Sequence, residues 1–197
     1  MKVLGCIIAG GKSSRMGQDK ALADLWGKPI IQHVIDIIRP QVSHLIINSK
    51  GPDAKYTSTG LNELFDLYPH CDSPLNGMLS CLRMAKEIGF DGILTVPADC
   101  PFLPNDLAEG LVQFGEATGA ATAYSNQQTH YLTGFWHIAL ATQLEDAMAN
   151  KGLIRVKDWC ALAKAKTVEW PLLGIDPFFN VNTPEDLAEA ARMARRH

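Results

Sequence analysis

Short apolar runs alternate with amphipathic stretches along most of this chain. Residues 3–8, 45–47 and 93–96 are runs rich in aliphatic side chains and short enough to be buried β-strands. Between them, apolar residues recur at helical spacing over residues 30–38 and 75–82. Strands that are separated by helical stretches of about 10–15 residues typically form βαβ units. The alternation therefore predicts an α/β fold with a mainly parallel sheet.

Weaker signals add further elements to this framework. Residues 61–65 are a candidate for an additional strand, and Asn105 is predicted to cap the helix that follows it. The polar residues 125–130 are predicted to form a surface loop. Thr183 precedes a proline and two acidic residues, which favours a helix N-terminus because the hydroxyl caps free amides and the acids complement the helix dipole.

The size and charge of the chain limit the classes of protein to consider. With 197 residues, of which 47% are hydrophobic and 20% charged, the chain is predicted to be one globular domain over residues 1–197. The formal net charge is −3, whereas proteins that bind nucleic acids are usually basic. We therefore expect no nucleic-acid partner, and the charge leaves room for a local basic pocket that binds a small anion.

The cysteines indicate the compartment in which the protein works. There are five of them, and no two have the Cys-x-x-Cys spacing, which disfavours a disulfide scaffold and a zinc ribbon. The N-terminal apolar run is too short for a signal peptide, and no stretch approaches the ~20 apolar residues that a membrane span needs. We expect a cytoplasmic protein with reduced thiols and no membrane partner.

Polar residues follow each of the four predicted strands in the first half of the chain. They are the Gly10-Gly11 turn with Arg15 and Lys20 behind it, then Asn48, Asp66 and Asp99. In open α/β sheets, ligands bind in the crevice outside the carboxyl ends of the strands. We therefore expect these residues to face one crevice.

The residue types in this predicted crevice suit a nucleotide and a metal ion. Glycines let the backbone approach phosphates and offer N–H donors to them. The cations Arg15 and Lys20 can neutralise phosphate charge. A carboxylate such as Asp99 can hold Mg²⁺, which keeps several waters and shares phosphate oxygens.

Two common glycine motifs do not account for this segment. A Walker phosphate loop needs Gly-x-x-x-x-Gly-Lys-Ser/Thr. Residues 11–13 match its end, but Cys6 stands where the first glycine is required. The Gly-x-Gly-x-x-Gly fingerprint of dinucleotide-binding folds is absent from the sequence. A Walker-type NTPase is therefore disfavoured.

Four segments resemble the motifs of a known family, in the same order along the chain. Residues 8–22, IAGGKSSRMGQDKAL, resemble the nucleotidyltransferase signature Leu-Ala-Gly-Gly-x-Ser-x-Arg-Met-Gly-x-Asp-Lys. Residues 27–30 read GKPI, residues 96–104 read VPADCPFLP and residues 179–187 read FNVNTPEDL. Within the nucleotidyltransferases, these motifs most closely resemble those of the molybdenum cofactor guanylyltransferases.

This resemblance implies a fold and a reaction. The fold would be a Rossmann-like three-layer nucleotidyltransferase domain of the nucleotide-diphospho-sugar transferase type. The enzyme would transfer GMP from GTP to molybdenum-bound molybdopterin, forming the guanine dinucleotide cofactor and releasing pyrophosphate. Its partners would include transient contacts with enzymes that make or receive the molybdenum cofactor.

The resemblance also implies roles for individual residues. Ile8, Ala9 and Gly10 would line the guanosine site, and Gly11 would also bind GTP. Asn48 and Asp66 would contact the base or the sugar. Lys20 would contact phosphate and act with Arg15 and Asp99 in catalysis. Asp99 would bind both Mg²⁺ and the nucleotide, and Asn182 would lie near the metal.

Some departures from the family pattern bear on the choice of substrate. Asp19 and the double glycine favour the guanylyl branch over the cytidylyltransferases, which usually lack that aspartate. Ser73 and Asn76 stand where the family usually has glycine and alanine, and residues 129–140 match the acceptor-side region more loosely. A related nucleotidyltransferase that uses CTP or a different phosphate acceptor is the main alternative.

A third hypothesis is a nucleotide-binding module that regulates a partner without catalysis. The presence of Arg15, Lys20, Asp99 and Asn182 together argues against it, because binding alone does not require groups that stabilise a leaving pyrophosphate.

Overall fold

The computed structural model describes residues 1–10, 19–52 and 55–193. The strands are β1 Val3–Ile8, β2 Asp24–Leu25, β3 Lys28–Pro29, β4 His44–Ser49, β5 Asn62–Phe65, β6 Gly92–Pro97, β7 Ala120–Ser125, β8 Gln128–His137 and β9 Lys166–Glu169. The α-helices are α1 Ile30–Ile38, α2 Pro74–Glu87, α3 Leu107–Thr118, α4 Leu140–Lys151, α5 Val156–Leu162 and α6 Pro184–Met193. Single turns of 3-10 helix cover Lys20–Leu22, Arg39–Gln41 and Thr57–Thr59.

The main sheet has seven strands in the order β5-β4-β1-β6-β8-β7-β9. The block β5-β4-β1-β6 is parallel throughout. Strand β8 runs antiparallel to both of its neighbours, β6 and β7, and β9 pairs parallel with β7. The predicted α/β class with a mainly parallel sheet is confirmed. Because β1, β4, β5 and β6 run in the same direction, their carboxyl ends open at one edge of the sheet.

Helices cover both faces of this sheet, as alternation of side chains along the strands requires. On β1, Ile7 packs in one apolar cluster together with residues of α1 and α3. Its neighbours Cys6 and Ile8 pack in a second cluster, with residues of α2, α4 and α5. The predicted three-layer Rossmann-like arrangement is confirmed. None of the helices in the described part of the chain is both long enough and apolar enough to cross a bilayer.

The prediction of a surface loop at residues 125–130 is wrong. Strands β7 and β8 are joined by the two residues Asn126 and Gln127, and Ser125 pairs directly with Gln128. Both turn residues have positive φ, 46° and 61°, which is the conformation of a tight type I′ hairpin turn. Glycine usually occupies at least one position of such a turn. Because neither residue is glycine here, the polar sequence indicated a loop instead of a hairpin.

The prediction that Asn105 caps a helix is also wrong. Helix α3 begins at Leu107, and Asp106 is the residue before it. The Asp106 carboxylate makes no cap and instead accepts a hydrogen bond from the Trp170 indole at 2.9 Å. Asn105 belongs to the turn that Leu107 N–H closes by donating to the Pro104 carbonyl at 3.3 Å.

The predicted start of a helix after Thr183 is confirmed by the geometry of α6. The Thr183 hydroxyl oxygen accepts from the Asp186 amide at 3.1 Å. In return, the Asp186 carboxylate accepts from the amides of Asn182 and Thr183, each at 2.9 Å. This reciprocal capping box satisfies amides that would otherwise lack partners at the helix start. It also fixes the backbone of Asn182.

Candidate functional site

A cleft of about 390 Å³ opens at the carboxyl ends of the parallel strands. Among the residues that line it are the predicted site residues Ile8, Ala9, Gly10, Lys20, Asn48, Asp66, Asp99 and Asn182. Gly11 and Arg15, the other two predicted site residues, lie outside the described residues. The structure therefore brings together every predicted site residue that it describes.

The strand register explains why these positions meet. Ile8, the last residue of β1, pairs with Asn48 of β4 on one side and with Pro97 of β6 on the other. One row across the sheet therefore contains the last residues of β1 and β6 and the last residue but one of β4. The Ala9 amide continues the ladder by donating to the Asn48 carbonyl at 2.8 Å. Chain segments that leave this row carry their polar side chains into the same cleft.

Lys20, Asp99 and Asn182 converge at one end of the cleft. The Lys20 ammonium forms an ion pair with the Asp99 carboxylate and donates to the Asn182 amide oxygen at 2.8 Å. The Asp99 side chain is only 6% exposed, whereas that of Lys20 is 23% exposed and faces the cleft. The Asp99 carbonyl in turn accepts from the Val181 amide at 2.9 Å, which ties the two segments together. A cation beside oxygen ligands is an arrangement that suits a phosphate and a hard metal ion.

The oxygen atoms of this end fit a magnesium-type ion. Within the described ranges, no three His, Cys, Asp or Glu side chains come together in a metal-binding group. Asp99 and Asn182 supply one carboxylate and one amide oxygen. Mg²⁺ is usually held by one or two protein carboxylates and completes its shell with waters and substrate phosphates.

The opposite end of the cleft contains a buried amide and a carboxylate. The Asn48 amide nitrogen donates to the Asp66 carboxylate at 3.0 Å and to the Leu64 carbonyl at 3.2 Å. Burial raises the pKa of Asp66, and the Asn48 hydrogen bond and the Lys50 charge oppose that rise. The carboxylate can accept hydrogen bonds from a base or a sugar hydroxyl.

The segment that carries Asn182 is held in place by a buried aromatic cluster. Phe178 is 2% exposed and packs against the Trp170 ring at a centroid distance of 5.7 Å. Its other ring contact is His130, stacked at 4.6 Å. The Phe178 amide donates to the Asp176 carboxylate at 3.0 Å. These contacts fix the chain just before it enters the cleft.

Ser125, His130 and Asp176 lie together beside this segment without forming a hydrolytic triad. The Ser125 hydroxyl donates to the Asp176 carboxylate at 2.7 Å, so its proton is directed away from the His130 ring nitrogen at 3.0 Å. In a triad, the histidine lies between the other two groups and takes the serine proton. Burial lowers the pKa of His130, and Ser125 is fully buried. The set is structural.

Several cleft residues were not predicted as site residues from the sequence. Among them are Lys50, Asp72, Leu132 and Asn180, together with Asp19 and Ser73, which the sequence indicated only as motif positions that bear on the choice of substrate. Lys50 and Asp72 form an ion pair at the mouth of the cleft, and both lie in irregular segments that carry no recognisable motif. Asn180 lies within residues 179–187, so the same motif that indicated Asn182 contained the signal for it.

Solved structures share this fold. The molybdopterin-guanine dinucleotide biosynthesis protein A of Archaeoglobus fulgidus superposes with a TM-score of 0.75 at 24% identity, over 100% of both chains. Rv0371c of Mycobacterium tuberculosis, solved in complex with manganese, superposes with a TM-score of 0.70 at 17% identity, over 98% of this chain and 99% of that one. At these identities, the likeness establishes the fold alone.

Sequence comparison establishes the family. The MobA-like NTP transferase domain matches residues 5–168. The molybdenum cofactor guanylyltransferase of Nitrobacter hamburgensis is 36% identical over 195 residues, covering 96% of this chain and 93% of the relative. That of a Bradyrhizobium strain is 38% identical over 197 residues, covering 98% and 93%. The chain therefore belongs to the molybdenum cofactor guanylyltransferases, a family with the MobA-like NTP transferase domain.

Proposed function

We propose that this protein transfers GMP from GTP to molybdenum-bound molybdopterin and releases pyrophosphate. The products are the molybdopterin guanine dinucleotide cofactor and pyrophosphate. The observation that carries the proposal is the convergence of Lys20, Asp99 and Asn182 at one end of the cleft. The same cleft is lined by Ala9 and Gly10. Full-length relatives that bear the name of this activity support the choice of reaction.

The nucleoside binds, in this proposal, at the Asn48 and Asp66 end of the cleft. Guanine presents adjacent N–H donors on its Watson–Crick edge, and an ionised carboxylate accepts such donors. The backbone at Ile8, Ala9 and Gly10 forms the wall beside these two side chains. Gly10 has no side chain, so the nucleotide can approach its backbone closely. The space that a β-carbon would fill there is open, with the Lys50 side chain as its nearest neighbour at 3.4 Å.

The triphosphate extends towards Lys20 and Asp99. Lys20 compensates the charge that develops on the departing pyrophosphate, together with Arg15 of the glycine-rich segment. Asp99 and Asn182 hold Mg²⁺, and the manganese complex of Rv0371c is consistent with a divalent ion in this fold. When bound, the ion supplies charge neutralisation at the reacting phosphate.

Transfer proceeds by in-line displacement at the α-phosphorus of GTP. A terminal phosphate oxygen of the acceptor forms the new P–O bond, and the bond to pyrophosphate breaks. The attacking oxygen is already anionic, so the chain needs no general base, and the site residues act by positioning and charge compensation.

The reaction is tested by measuring pyrophosphate release with each of the four nucleoside triphosphates, with and without molybdenum-bound molybdopterin. Release only with GTP plus the pterin is the expected result. Release with CTP or with a sugar phosphate would support a related nucleotidyltransferase instead. Tight nucleotide binding without release would support a non-catalytic binding module.

We also propose that the protein works in the cytoplasm. The five cysteines are free thiols, in keeping with a reducing compartment. Transient contact with the enzymes that supply the pterin or receive the finished cofactor belongs to the same proposal.

A further inference from the structure

The Tyr56 hydroxyl lies within reach of residues on both sides of the glycine-rich stretch of sequence. Ala9 and Gly10 are the last described residues before that stretch, and Asp19 is the first described residue after it. The Tyr56 hydroxyl oxygen is 3.0 Å from an Asp19 carboxylate oxygen and 3.4 Å from the Ala9 carbonyl oxygen. The single hydroxyl proton is directed to the nearer, charged acceptor, which makes the stronger bond.

The Asp19 carboxylate is held by two separate donors. One of its oxygens accepts from the Ala21 amide at 3.2 Å, which caps the single turn Lys20–Leu22. The other accepts from Tyr56. A capping carboxylate with one donor can still rotate about its side-chain bonds, whereas donors on both oxygens select one rotamer. Tyr56 therefore fixes the cap of the turn that begins with Lys20.

Tyr56 is itself rigidly placed. It is 3% exposed and packs in the same apolar cluster as Ala9 and Ala21. Its carbonyl accepts from both the Thr59 amide, at 2.9 Å, and the Thr59 hydroxyl, at 2.7 Å. The 3-10 turn that follows Tyr56 ends at Gly60, which has a φ of 68°. Because its ring is buried and its backbone is hydrogen-bonded in a turn, Tyr56 holds its hydroxyl in a fixed position.

The position of Tyr56 in the chain links the two ends of the cleft. Tyr56 lies in the connection between β4, which carries Asn48, and β5, which leads to Asp66. Through Asp19, the same connection sets the start of the Lys20 turn. The connection between these two strands therefore reaches the start of the Lys20 turn through the Tyr56 hydroxyl. A change confined to that hydroxyl leaves Asn48 and Asp66 in place.

We propose that Tyr56 is a positioning residue for GTP, acting through Asp19 to hold Lys20 towards the triphosphate. This inference rests on the proposed function, in which Lys20 contacts phosphate. It also gives Asp19 a role within the protein, because its two carboxylate oxygens accept hydrogen bonds from the Ala21 amide and the Tyr56 hydroxyl.

The test is calorimetric titration of wild type and Tyr56→Phe with GTP and, separately, with guanosine. Tyr124→Phe is the matched control, because the Tyr124 hydroxyl bonds to no residue that the structure describes and does not line the cleft. We expect Tyr56→Phe to weaken GTP binding about tenfold, the size expected for loss of a hydrogen bond to a charged group. Guanosine binding should stay within about twofold of wild type, because guanosine has no phosphate for Lys20 to contact.

A double-mutant cycle with Asp19→Asn separates positioning from general loosening. If Tyr56 acts through Asp19, the two losses of GTP affinity will be clearly less than additive in the double variant. Equal losses for GTP and guanosine, no loss at all, or additive losses would each overturn the inference. If the wild-type protein binds no GTP, the proposed function is contradicted as well. If the wild-type protein binds GTP and Tyr56→Phe binds it equally well, only the role of Tyr56 is contradicted.

Discussion

Gly77 allows helix α2 to lie directly against the amide of Asn48. A β-carbon added at Gly77 would stand 2.0 Å from the Asn48 amide oxygen, far inside any van der Waals contact. The same β-carbon would be 3.4 Å from the Asp66 carboxylate. Asn48 is 1% exposed, so its side chain has no space into which to retreat. The Asn48 and Asp66 end of the cleft therefore keeps its geometry only because residue 77 has no side chain.

We expect Gly77→Ala to weaken GTP binding at least tenfold. Alanine favours a helix interior over glycine by about 1 kcal/mol, so a purely local effect would raise stability. The steric contact instead displaces Asn48 and with it the hydrogen bond to Asp66. Titration with GTP measures the loss, and Lys86→Ala, an exposed change on the same helix, is the control. Unaltered GTP affinity in a folded Gly77→Ala protein would contradict this account of the pocket.

Asp99→Ala should abolish transfer and leave the fold intact. Asp99 holds the metal in the proposed function and forms an ion pair with Lys20. Loss of a single charged contact typically lowers a rate about 10²–10³-fold, and Asp99→Ala would lose the contacts to both the metal and the nucleotide, so the fall should be larger. Pyrophosphate release gives the rate, and circular dichroism checks the fold. Asp99→Asn keeps the shape of the side chain and removes its charge, so this variant should be inactive as well. Near-normal turnover in either variant would argue against a metal at this carboxylate.

Lys20→Ala should impair the chemical step more than the recognition of guanosine. The Lys20 ammonium lies with Asp99 and Asn182, away from the Asn48 and Asp66 end of the cleft. Turnover should fall about 10²–10³-fold while the preference for GTP over other triphosphates is retained. Lys28→Ala, which breaks an exposed ion pair with Asp36, is the matched control. A change of base preference in Lys20→Ala would show that Lys20 contacts the nucleoside.

Asp66→Asn should remove a pH dependence of stability. Burial raises the folded-state pKa of Asp66 above its unfolded value, so the folded protein binds this proton more tightly. The resulting stabilisation is fully present below the unfolded pKa of about 3.9 and is lost as the pH rises through the folded pKa. The melting temperature of Asp66→Asn minus that of wild type should therefore increase between pH 4 and pH 7. A constant difference across that range would show that Asp66 titrates normally.

Much of the cleft is predictable because parallel strands align their ends. Gly10 and Asp99 lie two positions after β1 and β6, Asp66 directly follows β5, and Asn48 is the last residue but one of β4. One register row places the ends of β1 and β6 beside Asn48. Knowing only the strand order of an α/β unit is enough to expect a shared crevice. Asn182 was predicted only through the motif of residues 179–187, since nothing in strand periodicity locates it.

The remaining features depend on contacts between distant segments. Gly77 sits in an ordinary helical pattern, and only the approach of α2 to β4 reveals why a side chain is excluded there. The hairpin at Asn126 and Gln127 lacks the glycine that marks such turns, so local sequence favoured a loop. Tyr56 carries no signal of its own, because its hydroxyl reaches Asp19 across 37 positions of the chain.

The ion pair between Lys20 and Asp99 has a thermodynamic consequence for the order in which ligands load. In the proposed function Asp99 holds a divalent cation, and that cation meets the like charge of the Lys20 ammonium while the ammonium pairs with the carboxylate. A triphosphate offers that ammonium a substitute anion and releases Asp99. Cation and nucleotide therefore promote each other's binding, and by linkage each must raise the other's affinity by the same factor.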